Sequence, residues 1–144
     1  NKSVYRTRMA MADGGELIIL APGLRQFGED AEVDRLIRRH GYRGTPATLA
    51  AVGADPDLRA NLSAAAHLIH GSTEGRFTVT YCPGPAMAPQ DIAAAGYQVA
   101  DLATALRRYP PARLADGWNR LADGERVYYI PNPALGLWAA AGRL

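Results

Sequence analysis

Residues 16–23 read ELIILAPG: four aliphatic residues in succession after Glu16, then alanine and a Pro22-Gly23 stop. A strand apolar on both faces must be covered on both. That suits a parallel sheet lying between helical layers. A second run, RFTVTYC at 76–82, places Phe77, Val79 and Tyr81 on one side and threonines on the other. YQVA after Gly96 reads as a brief strand, and RVYYIP at 126–131 as the last one.

Helical patterns fill the intervals. Residues 3–12 favour helix after a Ser3 cap, stopped by Gly14-Gly15. In EDAEVDRLIRRH, residues 29–40, Val33, Leu36 and Ile37 share one face. Acids begin the segment and Arg38, Arg39 and His40 end it, complementing the helix dipole. TPATLAAVGA starts on Thr45 as N-cap with Pro46 at the first helical position. DPDLRANLSAAAHLIHG repeats the device and reads as one helix, with Leu58, Leu62, Ala65, Ala66 and Ile69 as its buried stripe. Two shorter helices follow, Pro89 to Ala95 and ADLATALRR, the second halted by Pro110-Pro111. Strands alternating with helices predict an α/β fold: a three-layer, Rossmann-like domain around a mostly parallel central sheet.

The length of 144 residues fits a single domain spanning 1–144. No apolar run approaches the roughly 20 residues that cross a bilayer, so no membrane partner is expected. Cys82 is the only cysteine, which excludes an internal disulfide and makes a reducing compartment, the cytoplasm, the expectation. The 16 basic residues are spread along the chain, all but Lys2 are arginine, and net charge is +2. Nucleic-acid binding wants clustering on one face, and none is expected here. The chain opens on Asn1 and enters a helix almost at once, which reads as a piece of something longer.

Chemistry-bearing residues concentrate in AAAHLIHGSTEGRFTVTYCPG, residues 64–84. His67 and His70 stand three apart on one helix, with Glu74 and Cys82 as further candidate metal ligands. The spacing matches no zinc motif. The plainer reading puts His70 at the helix end, where a cation suits the dipole, and packs His67 partly buried. No metal site is expected. Cys82 closes a strand at the end where α/β sheets place ligands, but a lone cysteine there reads as a small buried hydrophobe. The glycine stretches 41–46 and 71–75 fit neither the dinucleotide fingerprint nor the Walker loop. The Thr45 helix start keeps anion binding open on dipole grounds, beside a plain cap. Arg6 and Arg8, two apart in a helix, point about 200° apart, so they form no joint clamp; either alone suits a carboxylate.

The order of a tyrosine-bearing helix, GGELIIL, a Pro-Gly turn, FGED and an acidic helix resembles the C-terminal domain of the nickel-dependent lactate racemase family. AAAHLIHGSTEGRFTVTYCPG, GYQVADLATAL and VYYIPNPALGLW extend the likeness over nearly the whole chain. The resemblance implies the C-terminal domain of a two-domain 2-hydroxy-acid racemase or epimerase that uses a nickel pincer nucleotide. Its acid–base histidines and the residues holding cofactor and nickel lie in the family's N-terminal domain. The implied partners are that domain and a small hydroxy-acid substrate. No catalytic residue and no cofactor are expected within residues 1–144. The family's substrate-contacting Tyr-Gln-x-x-Lys segment corresponds here to Tyr5-Arg6-Thr7-Arg8-Met9, so Tyr5, Arg6 and Arg8 become the substrate-binding candidates. Met9 stands where the family has Lys, and Leu58 where it tends to carry Trp, which places lactate itself in doubt. Two rival readings stand beside this one. One is a Rossmann-like anion or nucleotide module using Thr45. The other is a protein docking domain exposing Leu135, Leu137 and Trp138, a tail that is expected instead to pack on the sheet.

Overall fold

The computed structural model describes residues 1–143. Helix α1, Lys2–Thr7, precedes strand β1, Glu16–Ala21. Four helices follow: α2, Ala31–His40; α3, Thr45–Ala54; α4, Pro56–Ala60; and α5, Leu62–His70. Then come β2, Thr78–Pro83; α6, Pro89–Ala94; β3, Gln98–Val99; and α7, Leu102–Arg108. The chain is α/β, with β1, β2 and β3 parallel and side by side in chain order. The other two strands, β4, Gly117–Arg120, and β5, Arg126–Tyr129, form a separate antiparallel ribbon.

Register explains the core. Leu17 pairs with Val79, and Ile19 with Tyr81, which pairs in turn with Val99. These residues therefore share one face of the sheet, and all lie in or against the main cluster with Val33, Leu36, Ile37, Leu68 and Ile92. Cys82 and Ala105 are buried outside that cluster, and α7 rests against β1 and β2.

The α2 cap is Asp30, whose carboxylate accepts from the Val33 amide at 2.8 Å. Val33, Leu36 and Ile37 are each at most 1% exposed, as the helical spacing predicts.

Four local expectations are corrected. The segment 55–70 is two helices, because Asn61 leaves helical geometry and its side chain caps Ala64 at 3.0 Å. The restart resets the helical phase, so α5 buries Ala64, Ala65 and Leu68 and leaves Leu62 64% exposed. The first helix ends at Thr7, and Asn1 rather than Ser3 stands at its N-cap position, without a side-chain capping bond. Beyond it the chain turns, with the Ala10 and Met11 amides donating to the Thr7 carbonyl, while Met9 bridges Ala139 and the Arg76 guanidinium donates to the carbonyls of Arg8 and Met11.

RVYYIP does not join the parallel sheet: residues 126–129 pair with 117–120 across an Asp-Gly turn. The tail lies along α1 rather than on the sheet. The Trp138 amide donates to Arg6 at 2.8 Å and the Ala140 amide to Met9 at 3.1 Å. Leu135 and Leu137 remain exposed, while Trp138 is half-buried.

Candidate substrate-contacting site

Helix α1 is short, and tertiary contacts hold it. Val4 and Thr7 are buried, and the Asn1 amide donates to the His67 carbonyl at 3.1 Å. With the tail on its other side, the helix presents Tyr5 outward, 37% exposed. The Arg6 and Arg8 guanidiniums lie 5.8 Å and 5.9 Å from the centre of the Tyr5 ring. This refines the expectation of two diverging arginines. At 100° per residue, Arg6 lies about 100° to one side of Tyr5 and Arg8 about 60° to the other. Tyr5 therefore sits inside the smaller arc between them, and both long side chains flank its ring.

His70 completes the cluster. Its ring lies 4.5 Å from that of Tyr5, tilted by 32°. Arg6 donates to the Gly136 carbonyl at 3.2 Å through Nη1, and Arg8 to Ile69 at 3.4 Å. Among the described residues the buried Arg6 Nε has no hydrogen-bond partner. Each guanidinium carries five N–H donors, so most stay uncommitted. The arrangement favours a carboxylate laid against the Tyr5 edge, met by charge-assisted hydrogen bonds.

The cluster lies at the end of α5, one short loop before β2 begins. That is the amino-terminal end of the parallel strands, opposite the crevice where open α/β sheets take ligands. A pocket of about 190 Å³ opens at the same end, lined by Tyr42, Thr73, Thr78, Tyr97 and Gln98 among others. It is smaller than the roughly 300–1,000 Å³ usual for ligand sites.

The remaining candidates are engaged elsewhere. His67 Nδ1 lies 3.2 Å from the Tyr42 hydroxyl, and burial pulls its pKa down to about 4. Glu74 sits at a positive φ of 52°. Its carboxylate accepts from the Thr45 amide at 3.0 Å and from the Thr45 hydroxyl at 2.7 Å. Thr45 is thus the first residue of α3 rather than its cap, and Glu74 fills the seat that an external anion would take. At Thr45, then, the helix start is already satisfied from within the chain. Those contacts hold the Glu74 carboxyl below its ordinary value, the Thr45 hydroxyl first among them. Cys82 is fully buried, and burial pushes its thiol up, away from the thiolate that a nucleophile needs. Among the described residues no group of three or more His, Cys, Asp or Glu could hold a metal ion.

His67 makes stability depend on pH. Its folded pKa of about 4 lies below the ordinary 6.5, so the unfolded chain binds the proton more readily in between. This contribution is complete above pH 6.5 and is lost as pH falls from there toward 4. His67→Gln should flatten the slope of Tm against pH across that window; an unchanged slope would refute the assignment.

Sequence reasoning missed three contacts: Tyr5 with His70, Tyr42 with His67, and Glu74 with Thr45. The first two span 65 and 25 residues and the third 29. Only the two histidines carried a signal, as rare residues on one helix.

Fold and site define an α/β domain with a cation-flanked tyrosine on its amino-terminal helix. No protein-family model and no curated protein matches the chain. Among solved structures, the crystal structure of a structural-genomics target from Thermotoga maritima matches with a TM-score of 0.62 at 20% identity. The match covers 92% of this chain and 31% of that one, so the chain spans under a third of the neighbour's length. At that identity the likeness speaks for the fold alone. Among the described residues, no helix is long and apolar enough to cross a membrane.

Proposed function

We propose that residues 1–144 form the C-terminal, substrate-contacting domain of a nickel-pincer-nucleotide-dependent 2-hydroxy-acid racemase or epimerase of the lactate racemase type. In this reading the domain is three-layered and Rossmann-like, with α7 covering the sheet face opposite the main core. One observation carries the reading: both guanidiniums flank Tyr5, the residue that matches the family's contacting tyrosine. Placement at the rim, rather than in the sheet's own crevice, favours a substrate presented by a neighbouring domain.

The residues present do not suit the nickel cofactor. His67 is tied to Tyr42, His70 is stacked on Tyr5, and Glu74 is bound to Thr45. Cofactor and nickel belong, as the resemblance implies, to the family's N-terminal domain, and no chemical step is assigned to residues of this chain. Tyr5, Arg6 and Arg8 bind and orient the substrate carboxylate.

The test uses the full-length protein loaded with the nickel cofactor, with 2-hydroxy-acid enantiomers interconverted and followed by chiral chromatography. Arg6→Ala or Arg8→Ala should raise KM about 10- to 100-fold, the loss of one charge-assisted hydrogen bond. Isolated residues 1–144 supplied with nickel and lactate should turn nothing over. Turnover by the isolated domain, or an unchanged KM in both variants, would overturn the reading.

A further inference from the structure

The β4–β5 ribbon follows α7 and is tied to it by Arg108, which pairs with Asp123 at 2.7 Å and with Glu125. Trp118 stands opposite Tyr128, and Arg120 opposite Arg126, so alternation sends all four side chains to one face. All four are exposed, Trp118 by 65%. The Trp118 and Tyr128 rings meet edge-on at 5.3 Å, and the Arg126 guanidinium lies 4.7 Å above the Trp118 ring.

Among the described residues six of the 15 arginines pair with carboxylates, and Arg120 and Arg126 are among those that do not. Like charges directly across a ribbon destabilise it. Two opposed arginines beside an exposed tryptophan run against that rule, and the fold offsets them only through the Arg126 guanidinium lying over the Trp118 ring. Tryptophan, tyrosine and arginine are also the residues enriched in the energetic centres of interfaces.

We propose that this face docks against a carboxylate-bearing surface of the domain preceding residues 1–144, with Trp118 and Tyr128 as anchors and Arg120 and Arg126 as charge partners. The presence of such a domain rests on the function proposed above; the docking chemistry does not. Charge complementarity selects the acidic surface. Size selects a tethered occupant over a second copy. Four side chains fall far short of the roughly 20–30 residues a side of a free-standing interface, whereas tethering raises the effective concentration enough for a small patch.

The full-length protein carrying a photoreactive benzoylphenylalanine in place of Tyr128 tests this. Irradiation and peptide mapping should give an intramolecular cross-link to an Asp- or Glu-bearing peptide upstream of Asn1. Cross-links between two chains, cross-links confined to residues 1–144, or none, would overturn it. As a second readout, hydroxyl-radical oxidation of Trp118 should rise several-fold in the Arg120→Glu/Arg126→Glu variant, and an unchanged rate would overturn it. Both readouts are independent of nickel and turnover. A cross-link without racemase activity would sink the proposed function and leave the docking surface standing.

Discussion

Leu36→Ala is expected to cost about 2–5 kcal/mol, the range for a fully buried leucine that leaves a cavity behind. Leu36 has no exposed surface and packs in the cluster shared by α2, α5 and the sheet. Domains of this kind are stable by about 5–15 kcal/mol, so the change removes a large fraction of the total. With roughly 4 °C per kcal/mol at this size, Tm should fall by roughly 8–20 °C. The control is Leu62→Ala on the neighbouring helix α5. Leu62 is 64% exposed, so Tm should move by no more than a few degrees. Equal losses at the two positions would mean that the phase of α5 is wrongly assigned.

Gly84→Ala should disrupt the carboxyl end of the sheet. A Cβ at Gly84 would lie 2.0 Å from the Pro22 carbonyl oxygen and 2.8 Å from its carbon, both main-chain atoms. No rotamer relieves a clash with backbone. The Gly84 amide also donates to Ala21 at 3.1 Å, so moving the chain aside breaks the last bond joining β2 to β1. We expect a loss of at least about 1–3 kcal/mol, the usual cost of overpacking, read as a lower urea midpoint. Hydrogen exchange should quicken at Gly84 and Cys82 before it does in α2. Gly23→Ala is the comparison, since no atom lies within 4 Å of a Cβ built there. A Gly84→Ala protein with an unchanged midpoint would show that β1 and β2 do not close as described.

Local signals carried well wherever neighbours in the chain decide the outcome. Pro56 begins a helix behind its Asp55 cap, Pro46 stands in the first turn of another, and the spacing of Val33, Leu36 and Ile37 marks a buried face. ELIIL and FTVTYC lie side by side as parallel strands. Reading failed where one residue gave two signals. Asn61 sits inside an apolar pattern yet caps its own helix, and that capping bond breaks the segment in two. RVYY has a strand composition, but its partner Gly117–Arg120 contains only one apolar side chain, so nothing in its pattern marks it.

Of the candidate site, Tyr5, Arg6 and Arg8 were legible as neighbours in the chain. Their flanking geometry follows from helical spacing once the shorter arc is measured. The stacking of His70 on Tyr5 joins residues 65 apart and depends on α1 docking beside α5, which no pattern in either segment encodes.

By itself, then, the sequence determined the α/β class of fold, most of the helices and the strands of the parallel sheet. Periodicity, capping and covalent stops act within a few residues, where elementary sterics and hydrogen bonding suffice. Tertiary structure alone decided the seat of the tail on α1, the filling of the Thr45 helix start by Glu74, and the outward face of the ribbon. Those depend on which distant surfaces meet, and each is set by burial and charge summed over the whole fold rather than by any one segment.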